Sequence, residues 1–152
     1  MLKQGRVIDV KRHLLSRANG YIAVVTRIHP RYFANSLLDK WIPELAPSRD
    51  LLDEFREKVH ELDGNHNAGF GAREYDKKFQ INSNGWEKLE RLSKLSRTQD
   101  VYLVCHCKVE EMCHRELLLL LAEKCFGAEI DPIHNPHTDF RLSELGPPES
   151  SL

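Results

Sequence analysis

The sequence has no apolar run long enough to cross a membrane, and neither sign of charge dominates it. Its longest apolar run, residues 117–122, is far short of the about 20 residues that a membrane helix needs. Lys and Arg total 22 against 23 for Asp and Glu, which argues against general binding of polyanions. A charged and then apolar leader is also missing at the N-terminus. We therefore expect a cytoplasmic protein without a membrane partner.

Cysteine is scarce and unevenly placed. Three of the four cysteines, Cys105, Cys107 and Cys113, lie within nine residues, unlike the dispersed framework of a small secreted domain. The thiols are therefore expected to be reduced. With His106 and His114 they offer enough soft ligands for Zn²⁺, but their spacing departs from the usual Cys-x2-Cys pairs. We predict no metal and no cofactor, and a redox pair of Cys107 with Cys113 stays an alternative.

Two common phosphate-binding motifs are absent. No Gly-x4-Gly-Lys loop occurs, and a phosphatase-like Cys-x5-Arg loop from Cys107 would need arginine at position 113, which is cysteine. The chain also contains no internal repeat and no low-complexity block. Its 152 residues, 41% apolar and 30% charged, fit one globular domain. We predict a domain over residues 1–145 and a flexible C-terminal tail over 146–152.

Two dense apolar runs predict the central strands of a sheet. Tyr21–Thr26 and Val101–Cys105 are rich in β-branched and aromatic residues, as expected for strands that are covered on both faces. Five leucines, residues 117–121, then leave no polar side on a helix that ends at Gly127. The fold class that follows is α/β: a single three-layer domain with a mostly parallel sheet and helices on both faces.

The remaining elements follow from alternation, caps and breakers. Alternating apolar residues predict strands over Arg6–His13 and Ala128–Ile133, and Ser48 is a predicted N-cap of a helix that runs to about Leu62. Ser83 or Asn84 is expected to cap a further helix. The polar, glycine-containing segment from Gly64 to Gly71 is predicted to be mobile. Three histidines without an evident partner are expected at the solvated surface: His60, His134 and His137.

The residues that carry chemistry gather at the predicted carboxyl ends of two strands. Cys113, His114 and Arg115 open a helix, where the helix dipole and a neighbouring arginine favour a thiolate. Arg27 and Arg31 follow the other strand. If both strands run parallel, the two groups face one crevice. The alternative is a purely structural role, in which Cys113 packs as a small apolar residue while Arg115 forms a salt bridge with Glu110 or Glu111.

In their order along the chain, these motifs resemble the domain of unknown function 488 (DUF488) family, in its version with Cys-His-Arg at a helix start. The resemblance covers most of the length and rests on Lys11-Arg12, Arg27-x-x-Pro30-Arg31, Trp41, Leu45-Ala46-Pro47-Ser48, Phe70, Tyr75, Cys105 and Cys113-His114-Arg115. Tyr32 stands where many relatives have glycine. The resemblance implies a compact α/β domain in which Arg12, Arg27, Arg31 and the Cys-His-Arg motif share one pocket.

Two classes of function remain open. The first is an enzyme for a phosphorylated or nucleotide-like small molecule, with Cys113 as nucleophile and His114 as proton carrier. Its ligand-binding residues would be Arg12, Arg27, Arg31, Arg115, Cys105 and Cys107. The second is a non-catalytic module that binds a small anion, or binds nucleic acid through the basic N-terminal strands. For the latter, Tyr32 and Phe33 are the aromatic residues beside the arginines.

Overall fold

A computed structural model describes residues 1–148 as one α/β domain built on a four-stranded, all-parallel sheet. The strands are β1 (Leu2–Arg6), β2 (Tyr21–Val24), β3 (Lys40–Trp41) and β4 (Val101–Cys105), in the spatial order β1-β4-β2-β3. The two strands predicted to be central, β2 and β4, are indeed the inner pair. Their register aligns Tyr21 with Val101 and Val24 with Val104.

Six α-helices connect and cover these strands. They are α1 (Val7–Lys11), α2 (Arg49–Glu61), α3 (His66–Ala72), α4 (Tyr75–Lys78), α5 (Ser83–Leu95) and α6 (His114–Phe126). Short 3₁₀ turns lie at Asn35–Leu37, Pro43–Leu45 and Leu142–Glu144. The helix predicted to start near Cys113 begins at His114, with Cys113 as its N-cap, and ends at Gly127 in the left-handed conformation with φ of 66°. A residue with a Cβ is strained at that φ.

Alternation along β2 divides the core into two clusters, one on each face of the sheet. Ala23 and Val25 pack into the larger cluster with residues of helices α2 to α6. Ile22 and Val24 point to the other face, where α1 and the segment from Phe33 to Leu38 cover them. The predicted three layers are present, and the second covering layer is thin.

The N-terminal strand was predicted in the wrong place. Alternation suggested a strand over Arg6–His13, but β1 ends at Arg6 and α1 follows at once. Val7 and Val10, three residues apart, are both buried in the smaller cluster. That spacing puts them on one side of a helix, so helical packing outweighs the apparent alternation.

The middle of the chain differs from the prediction in two places. The segment Gly64–Gly71 contains most of α3, a helix that was not predicted there, which Asn65 caps by accepting a hydrogen bond from the Ala68 N–H. The mobility expected of this segment stays a prediction. Helix α3 packs closely on α2 because Gly69 lacks a Cβ; a Cβ there would lie 2.5 Å from Val59 Cγ2. The cap of α5 is Asn82, one residue before the predicted pair.

The C-terminal segment pairs with the sheet less than predicted. The expected strand Ala128–Ile133 is reduced to one parallel bridge between Leu2 and Ile130. The predicted flexible tail over 146–152 lies outside the described residues from position 149 onward. Within the described part of the chain, no helix is both long enough and apolar enough to cross a membrane.

Candidate functional site

The site lies at the carboxyl edge of the sheet, where β2 and β4 end side by side. Because the two strands are parallel, the segment after Val24 and the segment after Cys105 leave the sheet at the same edge. Between them is a cavity of about 660 Å³. Its lining combines Arg27 and Arg31 from the first segment with Cys105, Cys107 and Cys113 from the second.

The cavity wall is rich in positive charge and aromatic rings. Its cations are Lys11, Arg27, Arg31 and Arg56, and Glu111 is the carboxylate that lines it. On the helical side, the lining includes Phe55, His66, Phe70 and Tyr75. The volume suits a small organic ligand, and the charge favours an anionic one.

A cluster of sulfur atoms forms part of the cavity lining. Cys105 ends β4 and Cys113 precedes α6, and their Sγ atoms are 3.2 Å apart. The Cys113 Sγ also lies 3.5 Å from Nδ1 of His114. His114 Nε2 is 2.8 Å from the carbonyl oxygen of Val25, which can only accept a hydrogen bond, so Nε2 carries the proton. Nδ1 then faces the Cys113 sulfur, where it can take the thiol proton and leave an imidazolium beside the thiolate.

The three thiols differ in their readiness to ionise. Burial opposes ionisation of Cys113, but hydrogen bonds from Cys105 and Cys107 and the charges of His114 and Arg115 bring its pKa well below the ordinary value. Burial raises the pKa of Cys105 to about 12. The pKa of Cys107 is also raised, mainly by its hydrogen bonds with Cys105 and Cys113. One negative charge, on Cys113, is therefore stabilised by two neutral thiols.

The side chain of Arg115 is buried behind the thiols and does not reach the cavity. It has no exposed surface and does not line the cavity. Its guanidinium donates to the carbonyl of Gly5, and to those of Cys107 and Lys108 at 2.8 and 2.9 Å. The structure thus does not support direct contact between Arg115 and a ligand, because backbone carbonyls occupy its terminal nitrogens. The alternative pairing with Glu110 or Glu111 is also not formed.

The other predicted arginines are placed differently from one another. Arg12 is exposed at the end of α1 and does not line the cavity, where Lys11 stands instead. Arg27 lines the cavity and is held by hydrogen bonds to the carbonyls of Pro47 and Ala46. Arg31 lines it as an exposed side chain. The structure therefore brings Arg27 and Arg31 to the thiols and leaves Arg12 out.

Part of the sulfur cluster has ligand atoms close enough to hold a metal ion. Those of Cys105, Cys113 and His114 all lie within 4.8 Å of one another. Thiolates and an imidazole suit Zn²⁺ or another soft cation. The buried positive charge of Arg115 opposes a divalent cation at the same place, whereas it favours a single thiolate. The absence of a metal stays a prediction.

The core contains a buried cluster of one histidine and two carboxylates that the sequence pattern did not predict. His137, expected at the surface, has a side chain without exposed area; its ring nitrogens lie 2.9 Å from Asp76 Oδ1 and 2.9 Å from Glu116 Oε1. Asn135 and the His134 N–H also bind Glu116. Glu116 within the leucine-rich helix was the available signal, because a carboxylate there needs a buried partner.

The parallel sheet and its covering helices define a small α/β domain. The basic, cysteine-lined cavity at the carboxyl edge of the sheet is its candidate site, both for an anion and for chemistry at a cysteine thiol. The chain belongs to the active DUF488-N3 subclade, a group within the DUF488 families, whose sequence model matches residues 6–124. The matched region includes β2, β3 and β4, the last residue of β1, and every residue of the sulfur cluster. No curated protein and no solved structure matches the chain.

Proposed function

We propose that this protein is a cysteine-dependent enzyme that acts on a small phosphorylated or nucleotide-like molecule. The observation that carries the proposal is the position of Cys113, one of the residues that line a cavity whose cations outnumber its carboxylates. A thiolate at this point is a ready nucleophile, and the cations supply binding energy for an anionic group.

The proposed roles follow from the contacts of each side chain. Cys113 forms the bond to the electrophilic atom of the ligand. Nδ1 of His114, 3.5 Å from the sulfur, takes the thiol proton and returns it to the leaving group. Arg27 and Arg31 bind the anionic part of the ligand, and Lys11 and Arg56 add positive potential. Burial lowers the pKa of His106, and the charges of Lys11 and Arg56 lower it further, which supports a positive field at this edge.

The aromatic side of the cavity is suited to the rest of such a ligand. The Phe55 ring lies edge-on to His66 and Tyr75, with centroid distances of 4.9 and 5.6 Å. A flat heterocycle packs favourably against rings of this kind. A ligand that combines an anionic group with a flat ring would contact both sides of the cavity.

Alkylation of the protein with iodoacetamide, mapped by mass spectrometry across pH, tests this function. We expect Cys113 to react with an apparent pKa below that of N-acetylcysteine, a free thiol used as the reference. Inorganic phosphate or adenosine monophosphate should protect Cys113. Arg31→Gln should weaken the protection, while Arg91→Gln, on the exposed side of α5, should leave it unchanged. A titration midpoint of Cys113 equal to that of the free thiol would refute the role of Cys113 as nucleophile.

A second candidate is a module that binds a small anion or single-stranded nucleic acid without chemistry. It is favoured by Tyr32, which is 97% exposed beside Arg31 in the segment after β2. An exposed ring next to a guanidinium can stack on a base. Oligonucleotide binding that falls steeply with salt and weakens in Tyr32→Ala would support this candidate over the enzyme. No gel shift at low salt would remove its nucleic-acid form.

A further inference from the structure

The sulfur cluster offers Cys113 a second atom with which to form a covalent bond, besides an atom of a ligand. Cys105 Sγ is 3.2 Å from Cys113 Sγ, and the two residues belong to different elements, the end of β4 and the N-cap of α6. A disulfide requires a sulfur separation of about 2.05 Å, so the two atoms must approach by a little over an ångström. The connecting residues 106–112 contain bends and turns and no regular element, so the approach requires a rotamer change at one cysteine and not the unwinding of a helix or strand between them.

We infer that Cys113 is a site of oxidation by hydroperoxides and that Cys105 converts the oxidised residue to a disulfide. The inference rests on the proposed reactive Cys113 and adds a regulatory chemistry to the same site. A thiol that both binds the ligand and forms the disulfide cannot do the two at once. Oxidation therefore switches off the proposed enzyme reversibly.

The reaction proceeds in two balanced steps. The Cys113 thiolate attacks one peroxide oxygen, the O–O bond breaks, and the products are a sulfenic acid and hydroxide or alkoxide. The Cys105 sulfur then attacks the sulfenic sulfur; the S–S bond forms, the S–O bond breaks, and the Cys105 proton leaves with the oxygen as water. The two thiols lose two electrons, which the peroxide gains. A dithiol reductant reverses the change by thiol exchange.

The surroundings of the pair favour this order of events. Both cysteines line the cavity, whose volume of about 660 Å³ admits a molecule as small as hydrogen peroxide. Cys113 Sγ contacts both Nδ1 of His114, at 3.5 Å, and the Cys105 Sγ, at 3.2 Å. Burial opposes the thiolate on Cys113, but its hydrogen bonds and the neighbouring charges lower its pKa, whereas burial raises the pKa of Cys105. The attacking atom is therefore Cys113, and Cys105 stays protonated until the sulfenic acid forms beside it.

Cys107 is the competing partner, because it also lines the cavity. It is two residues from Cys105 and lies in the loop beyond the strand. Cys107 also interacts with the Cys113 thiol. The sulfur–sulfur distance of 3.2 Å is the one between Cys105 and Cys113, so we assign the second step to Cys105. Cys125, on the far end of α6, supplies a matched cysteine variant that should not affect the reaction.

The test exposes the reduced, chelator-treated protein to hydrogen peroxide and follows the intact mass, with peptide mapping of the linked cysteines. We expect wild type and Cys125→Ser to lose two hydrogen atoms and to yield a Cys105–Cys113 peptide pair that dithiothreitol separates. In Cys105→Ser the disulfide should be lost, and dimedone should trap the sulfenic acid on Cys113. In Cys107→Ser the disulfide should form as in wild type.

Several outcomes would overturn the inference. Disulfide formation that persists in Cys105→Ser and disappears in Cys107→Ser would show that Cys107 is the partner. Direct oxidation of Cys113 to the sulfinic acid in wild type, without a disulfide, would exclude a second thiol altogether. Circular dichroism and thermal unfolding establish that each variant is folded. Rapid alkylation of Cys113 together with no disulfide would refute this inference alone, whereas slow alkylation would refute the proposed function.

Discussion

At the scale of single residues, Arg115 acts on the site from a position that a ligand does not reach. Burial lowers the pKa of its guanidinium, but electrostatic attraction to the surrounding cysteines, Cys105, Cys113 and Cys107, of which Cys113 carries the charge, more than compensates, so the pKa is raised. Its Nε is buried without a hydrogen-bond partner. Arg115 therefore joins β1, through the carbonyl of Gly5, to the loop of Cys107, and its charge stabilises the Cys113 thiolate.

Two substitutions of Arg115 distinguish the effect of its charge from the effect of its hydrogen bonds. Arg115→Gln should raise the titration midpoint of Cys113 alkylation, and Arg115→Lys should raise it less because lysine keeps the charge. Both variants should lose about 3–5 kcal/mol of unfolding free energy in urea, since buried carbonyls lose a charged donor. Alkylation is measured where each variant is folded. An unchanged midpoint in Arg115→Gln would mean that its charge does not act on the thiol.

At the scale of secondary structure elements, the cap of α5 provides a matched pair of substitutions. The side chain of Asn82 accepts a hydrogen bond from the Gly85 N–H at 2.9 Å, whereas Asn84 is an exposed residue of the first turn. Loss of an asparagine N-cap costs about 1 kcal/mol. Asn82→Ala should therefore lower the unfolding free energy by that amount, and Asn84→Ala should leave it nearly unchanged. Equal losses in the two variants would contradict the assignment of the cap.

At the scale of the whole molecule, the buried ion cluster fastens the C-terminal segment to the helices. His137 contacts Asp76 of α4 and Glu116 of α6. Burial lowers the pKa of His137, but the two carboxylates overcome this effect and raise it to about 9. Burial likewise opposes the charge on Glu116, while hydrogen bonds from His137, Asn135 and the His134 N–H lower its pKa. A charged histidine between two carboxylates is the stable state at neutral pH.

The pH dependence of stability follows from the sign of this shift. The pKa of His137 is higher in the folded chain than its ordinary value of 6.5, so its contribution is fully present below about 6.5 and is lost as pH rises through about 9. His137→Gln should cost about 3–5 kcal/mol near pH 6. Urea unfolding of both proteins should show this difference shrinking by pH 10. A constant difference across that range would show that the histidine is not charged in the fold.

The sequence by itself determined the parts of the fold that depend on neighbours along the chain. The apolar runs of β2 and β4, the Ser48 cap of α2 and the Gly127 end of α6 all appear where they were predicted. Such features need only local hydrogen bonds, backbone preferences and the spacing of apolar residues. The parallel order of β2 and β4 then requires their two loops to lie at one edge of the sheet.

Only the tertiary structure decided which side chains lie together in the cavity and in the core. Arg12 and Lys11 are adjacent in sequence, but the turn of α1 brings Lys11 alone to the cavity. His137 is 61 residues from Asp76 and 21 from Glu116 along the chain. No pattern in the sequence indicates that residues so far apart are in contact. Arg115 is buried because α6 packs beside β1. These contacts depend on long-range packing, and the free energy of burying a charge is set by all the elements that surround it.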